Sequence, residues 1–372
     1  MAHDIQNPRT KKYSRIKSIL VNLELFLKKC FLFFFVLLNF FFHTRKKKYI
    51  DIDNYKNQDN RFINYLFFSL KKKYNFSYNL SFSVLDFVKK IGIKNFIFYS
   101  TPNILIKKDK KIKFYLNNKS YNSNELNFDT NYFGKNKDNH LYLPYYIYPK
   151  LYNNDYQNLT KLKNNKKIIK IFFSGSTNKE VYGKFTWYDF NGNKLLNRVE
   201  IIDFIIENFK KKIFFLNSYN DLNKINVIET PIVLSINDGL IKKSKSNLTN
   251  KEHFEIISKS QFLLTAPGAD MPLCHHLIEG IKMKSIPISN YANLHQPIIS
   301  EDDYLNFTDC HSLKSAINNA LTMTDDDISL KQQNLDKFYD QKLSPASFLE
   351  SFEDRKNNKV IACNDVESLR WL

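Results

Sequence analysis

The hydrophobic and polar positions divide the chain into two stretches of different texture. From about residue 165 onward, short apolar runs recur: IIKIFFS (168–174), IFFL (213–216), PIVLSI (231–236), QFLLT (261–265) and SIPIS (285–289). Nearly continuous apolar runs of this length are the pattern of strands buried on both faces in a parallel sheet. Helical spacing fills the gaps between them. Val199, Ile202, Ile206 and Phe209 recur at three and four residues, the period of one helix face. Thr249 followed three residues later by Glu252 is a capping box that opens another helix. Two more helices are predicted near 309–322 and 325–341, so strands and helices alternate as in a parallel, doubly wound α/β sheet.

Upstream the pattern is mixed. Strands are predicted at NFIFYS (95–100), KIKFYL (111–116) and HLYLPYYIYP (140–149), with a helical period in SVLDFVKKIG (83–92). The polar stretch YNNDYQNLTKLKNNKK (152–167) reads as a linker. With 372 residues the chain can bury two cores. The expected division is an N-terminal basic and hydrophobic segment (1–48), a first domain (49–164), a second domain (165–345), and a C-terminal helix and tail (346–372).

The most apolar run, CFLFFFVLLNFFF (30–42), is flanked by Lys28 and Lys29 and by Arg45 to Lys48. As a helix it spans about 20 Å, short of the ~30 Å hydrocarbon core. Extension back to Ile19 reaches membrane length only by including Glu24, Lys28 and Lys29. Three readings follow: an interfacial anchor with lysines on anionic headgroups, a single-pass signal anchor, and a helix buried in the first domain. A cleaved signal peptide is not expected, because no small-residue cleavage site follows. Membrane association through residues 19–42 is the expectation, with the side of the membrane open.

Charge changes the picture next. The formal net charge is +19, which favours a polyanionic neighbour: nucleic acid, anionic lipid or a phosphorylated substrate. Arginine is scarce, and the lysines fall in short scattered runs such as KKK at 71 and KKDKK at 107, unlike an arginine-rich nucleic-acid patch. No nucleic-acid partner is expected. Cys30, Cys274, Cys310 and Cys363 stand far apart with no CxxC pair, which argues against a structural zinc site and a disulfide scaffold. Six Asn-x-Ser/Thr sequons occur in a chain so rich in Asn that they do not establish secretion.

The chemistry concentrates in APGADMPLCHHLIEG (266–280), set between two apolar strands in a chain with only 8 glycines. A helix is predicted from about Pro272 to Met283. It places Leu273, Cys274, Leu277, Ile278 and Ile281 on one side and His275, His276, Glu279 and Lys282 on the other. Pro272 suits a first helical turn and Asp270 a cap, leaving backbone N–H groups directed into the loop mouth. Such a helix start favours a phosphate. His275 and Glu279 are spaced to share a metal, but no HExxH and no third ligand at a convincing spacing is present, so no metal is expected. GSTNKEVYGK (175–184) fails as a P-loop, because its second glycine is misplaced and no Ser or Thr follows Lys184. GxGxxG and GxSxG are absent.

FFSGS (172–176), Arg198 at the start of the next helix, and SKSQFLLTAPGADMPLCHHLIEGIKMKSIPI (258–288) together resemble the nucleotide-sugar half of exostosin-like glycosyltransferases, over roughly 165–325. The resemblance implies two Rossmann-like domains facing across a cleft, the B-type glycosyltransferase fold, with the C-terminal domain binding a nucleotide-diphosphate sugar. It implies that Glu279 holds the ribose hydroxyls, that Arg198 meets the diphosphate, and that Gly175 and Ser176 let the chain pass close to the donor. Pro267, Gly268, Ala269 and the helix start would supply N–H donors. Two departures stand out: Lys284 and Ser285 occupy the place where a Gly often precedes the Ile-Pro strand, and no acidic residue lies eight after Glu279.

Glycosyl transfer builds negative charge on the leaving diphosphate, which fixed donors stabilise, and requires a base for the acceptor hydroxyl. Asp129 and His140 are candidates for that base, as are His275 and His276, which could instead contact the donor. The expected activity is a metal-independent, membrane-associated glycosyltransferase acting on a glycan or glycolipid acceptor, with the nucleotide sugar as co-substrate and no cofactor. The alternative is a non-catalytic basic protein that binds nucleic acid or anionic lipid on the same fold.

Overall fold

A computed structural model describes residues 49–51, 62–78, 100–102, 111–116, 125–129, 132–133, 140–148, 151–154, 156–237, 248–269, 271–295, 298–300, 302, 304–354 and 359–362, with Phe26, Cys30 and Phe34. Contacts divide the chain into two compact units, Met1–Asn57 with Lys73–Lys113 and Gln58–Lys72 with Phe114–Leu372.

In the first unit, strands β1 (Tyr49–Asp51), β2 (Asn75–Tyr78), β3 (Ser100–Pro102) and the first three residues of β4 (Lys111–Leu116) are parallel. β1 lies between β2 and β4, and β3 lies outside β2. β4 coincides with the predicted KIKFYL strand. The predicted helix at 83–92 and most of NFIFYS lie outside the described residues, as does nearly all of 19–42. Among the described residues no helix is long and apolar enough to cross a membrane.

The second unit opens with α1 (Phe62–Leu70), continues through β5 (Glu125–Asp129) and β6 (Leu141–Tyr142), and then forms α2 (Leu151–Asn154) and α3 (Tyr156–Leu162). Two short helices therefore occupy the stretch read as a linker. Of HLYLPYYIYP only Leu141 and Tyr142 are strand. The predicted alternation then follows: β7 (Ile169–Gly175), α4 (Lys179–Tyr182), the hairpin β8 (Trp187–Tyr188) and β9 (Lys194–Leu195), α5 (Arg198–Phe209), β10 (Ile213–Phe215) and β11 (Ile232–Ile236). After these come α6 (Asn250–Ser258), β12 (Ser260–Leu264), α7 (His275–Lys282), β13 (Ile286–Ser289), β14 (Leu305–Asn306), α8 (Cys310–Thr322), α9 (Asp325–Phe338), α10 (Pro345–Asp354) and β15 (Lys359–Ala362).

β10-β11-β7-β12-β13-β14 form one parallel sheet. β7 is first in the chain and lies inside the sheet between β11 and β12. The connections therefore leave it in both directions, and the crevice at the carboxyl ends of β7, β11 and β12 is the switch point where α/β sheets take ligands. Ile171, Phe172, Val233, Leu234, Phe262 and Ile288 fill the sheet, and Ile201 and Ile205 of α5, Ile257 of α6 and Leu277 and Ile281 of α7 cover it; all are buried. Each such side chain contributes roughly 1.5–3 kcal/mol of burial.

Caps set several helix starts. Asn197 and Glu200 close a reciprocal box at α5, and Thr249 and Glu252 close the predicted one at α6. α7 approaches β12 so closely that a Cβ on Gly280 would lie 3.0 Å from Leu263 Cδ2 and 3.2 Å from Ser285 O. After α9 the expected C-terminal helix is α10, but the strand in the tail was not foreseen: β15 inserts in parallel between β5 and β6, and Tyr65 of α1 donates to Leu343 O and Ser344 O at 3.0 Å.

Candidate functional site

A cavity of about 180 Å³ opens at the carboxyl ends of β7 and β11. Ser174 and Gly175 line it from β7, Asn237 from just past β11, Asn250 and His253 from α6, His275, His276 and Glu279 from α7, and Tyr148 from the chain leading to α2.

Arg198, the first residue of α5, is 4% exposed. It is held against Gly175, where a Cβ would lie 3.3 Å from its Nη1. Nη1 donates to Ser176 O at 3.5 Å, Nη2 reaches Cys274 Sγ at 3.7 Å, the guanidinium covers the Tyr182 ring at 4.0 Å, and Nε has no partner. Among the described residues no carboxylate lies within 4 Å of it. A buried guanidinium without a carboxylate partner is costly unless another anion completes it; Cys274 Sγ at 3.7 Å is the one such group of the protein beside it among the described residues.

On α7, the His275 and Glu279 side chains meet one turn apart, with Nδ1 2.9 Å from Oε1. Tyr148 N donates to the same oxygen at 3.0 Å, and Oε2 faces His253 Nε2 at 3.5 Å with no hydrogen-bond partner. Glu279 is fully buried. Burial opposes its ionisation, but His275, His253 and His276 together hold its carboxyl well below the usual range. Burial likewise opposes a charged His275, and the Glu279 carboxylate, aided by Cys274, overcomes this and lifts it to about 9. Desolvation pushes His253 down. The Cys274 thiol, which burial alone would push up, is drawn well below its ordinary value by His276, His275 and Arg198. The cluster is thus a buried set of coupled charges rather than a solvated helix face: His276 is 9% exposed and Lys282 4%.

The residues singled out from the sequence separate into three groups. Gly175, His275, His276 and Glu279 line this cavity, and Arg198, with Ser176, packs against Gly175 behind its wall without lining it. Pro267, Gly268 and Ala269 do not line it. Gly268 N turns back to Pro272 O at 3.2 Å, and its carbonyl accepts from Trp187 Nε1 at 3.2 Å, so this amide is not offered to a ligand. Asp129 and His140 pair with each other at 3.2 Å and are likewise absent from the cavity wall.

The helix expected from Pro272 begins instead at His275, with Cys274 as an N-cap that makes no side-chain cap bond. The Tyr145 hydroxyl donates to Leu273 O at 3.3 Å, outside the helix, and the Tyr291 hydroxyl donates at 3.3 Å to Cys274 O, which also accepts from Leu277 N at 3.4 Å as the helix opens. Asp270 lies outside the described residues. His253 is the site residue that spacing missed. It precedes His275 by 22 positions on a different helix, and only the fold brings the two together.

Two overlapping sets of ligand-type atoms lie within 4.8 Å of one another: Cys274, His275 and His276, and His253, His276 and Glu279. Neither set holds the His275–Glu279 pair weighed from the sequence; in the second, His253 of α6 joins His276 and Glu279.

No protein-family model and no curated protein matches the chain. Among solved structures it is similar to the N-terminal domain of Candida albicans trehalose-6-phosphate phosphatase, with a TM-score of 0.43 and 8% identity over 83% of this chain and 96% of that one. It is similar to a trehalose-6-phosphate synthase at TM-score 0.30 and 13% identity, covering 56% of this chain and 46% of that one. It is also similar to an α1,3-fucosyltransferase with GDP at TM-score 0.37 and 13% identity, covering 84% and 90%. Likenesses this distant carry no argument about function. What the chain itself displays is an α/β fold of parallel, Rossmann-like sheets with a cavity at the switch point lined by three histidines and a glutamate.

Proposed function

We propose that the protein is a glycosyltransferase that takes a nucleotide-diphosphate sugar at the β7–β11 crevice and passes the sugar to a glycan or glycolipid acceptor. The carrying observation is Arg198: a guanidinium buried to 4% exposure, with one nitrogen unpartnered and no carboxylate within 4 Å among the described residues. A diphosphate is the anion that this arrangement, the neighbouring cation His275 and the close backbone at Gly175 suit best. The exostosin-like run of residues 258–288 supports the same reading and remains its only family-level support.

In the reaction, the bond between the anomeric carbon and a diphosphate oxygen breaks and charge grows on the leaving oxygen. Arg198 and His275, fixed before the substrate arrives, stabilise that charge without reorganisation. Asn237, Asn250 and the free Glu279 Oε2 are the wall groups available to the pentose. The basic, apolar stretch at 19–48 would hold the enzyme near anionic lipid.

The test is release of nucleoside diphosphate from a panel of sugar nucleotides with membrane-derived acceptor. Arg198→Ala should lower turnover by about 10- to 100-fold, the worth of one or two charged hydrogen bonds. Unchanged donor binding and turnover in that variant would remove the assignment.

A further inference from the structure

We propose that His253, His276 and Glu279 form a binding site for a divalent transition-metal ion of the zinc class, set in the wall of the same cavity. The ligand atoms come from two helices, α6 and α7, and all lie within 4.8 Å of one another. In a tetrahedral site with bonds of about 2.1 Å, neighbouring ligand atoms stand ~3.4 Å apart. His253 Nε2 and Glu279 Oε2 are 3.5 Å apart, and the His253 and His276 ring centroids are 5.3 Å apart.

Two features show that the cluster is organised for an occupant rather than closed on itself. Glu279 is fully buried, yet Oε2 makes no short hydrogen bond, its nearest partner being His253 Nε2 at 3.5 Å, the spacing of two ligands on one ion. Oε1 of the same carboxylate is fixed by Tyr148 N at 3.0 Å and by His275 Nδ1 at 2.9 Å, the outer support that aims a metal-binding carboxylate. Two imidazoles and one carboxylate suit zinc or cobalt(II) rather than magnesium or calcium, which favour oxygen donors. All three ligand residues line the cavity, together with Ser174 and Gly175.

Metal binding itself is independent of the donor reading, but the two meet at Glu279. With the ion in place Oε2 is committed, and the pentose of a donor is left to Asn237 and Asn250. A dication there also adds positive charge facing the diphosphate.

The test uses the full chain after treatment with a chelator and contains no nucleotide. Cobalt(II) and zinc(II) are titrated separately, and metal content is measured after gel filtration. The expected result is one ion per chain, with the strong visible bands of four-coordinate cobalt. His253→Ala and Glu279→Gln should each weaken zinc by more than about 100-fold, beyond the 10- to 100-fold loss typical of an outer support. His275→Ala should fall within that smaller range, and His311→Ala, on α8, should change nothing. Circular dichroism identifies any variant that fails to fold, and the wild-type spectrum needs no variant. Only the spectrum of aqueous cobalt, without stoichiometric binding, overturns the proposal. Thiolate-to-cobalt charge transfer would overturn the ligand set by placing the ion on Cys274. Nucleoside-diphosphate binding, measured separately on the chelator-treated chain, reports on the donor reading alone.

Discussion

Replacing Arg198 by Met should make the ligand-free protein more stable and the ligand-bound protein less so. In the wild type a buried cation stands with a 3.5 Å bond to Ser176 O, a weak contact to Cys274 Sγ and an unpartnered Nε. Desolvating one such charge costs several kcal/mol. The Tyr182 face at 4.0 Å offsets up to about 2 kcal/mol, and a charged hydrogen bond offsets about 1.5–3 at good geometry, less at this length. With Cys274 Sγ at 3.7 Å drawn toward its thiolate, the balance leaves about 1 kcal/mol against the native residue, so Met should raise the melting midpoint by about 2–4 °C. Nucleoside diphosphate at 100 times its Kd adds about 2.7 kcal/mol to the wild type and should add almost nothing to the variant. Thermal denaturation with and without ligand reads both effects, and the two melting orders should cross. A variant that is less stable when free and still shifts with diphosphate would refute the reasoning, because Arg198 would then be a satisfied structural group.

Lys282 supplies a pH test. Burial, with Lys163 adding repulsion against the pull of Asp340 and Asp336, lowers it from 10.5 to about 7, while it lies over the Tyr156 and Tyr339 rings. The unfolded chain therefore holds the extra proton between about pH 7 and 10.5, and stability should rise with pH across that window. A lowering to about 7 sets an upper limit of about 5 kcal/mol at pH 6; in urea melts Lys282→Met should recover part of that at pH 6 and progressively less toward pH 10. Gly280→Ala forces a Cβ to 3.0 Å from Leu263 and should cost about 1–3 kcal/mol in chemical denaturation. Thr249→Ala removes the side-chain half of the α6 cap and should cost about 1 kcal/mol in the same assay. Full-length protein should sediment with phosphatidylserine vesicles at low salt, and deletion of residues 1–48 should abolish this; equal sedimentation would place the membrane contact elsewhere.

The second sheet was legible because its strands are apolar on both faces and punctuated by readable helix caps. IIKIFFS, PIVLSI and QFLLT map onto β7, β11 and β12 within a residue, and Thr249 caps α6 as expected. The start of α7 was not legible, because the groups that donate to the Leu273 and Cys274 carbonyls are the hydroxyls of Tyr145 and Tyr291, distant in sequence. Helical periodicity grouped His275, His276 and Glu279 but put Cys274, which joins them, on the apolar side, and could not show that Tyr148 and His253 approach this face from other elements. β15 carried too short an apolar run to be seen as a strand. The missing glycine before the Ile-Pro strand has a structural counterpart: Lys284 takes φ 55°, a conformation that glycine adopts more readily, and its Nζ is tied to Asp336 at 3.1 Å and Asn164 at 3.2 Å.

Isothermal titration of the chelator-treated full chain with UDP, GDP, ADP and orthophosphate, run in parallel on wild type and Arg198→Met, bears most directly on the claim that a buried guanidinium awaits a diphosphate. Saturable binding of at least one nucleoside diphosphate by the wild type, and a loss of 10-fold or more in the variant, is the predicted result. Absence of binding to all of them, or equal affinity in both proteins, would contradict it.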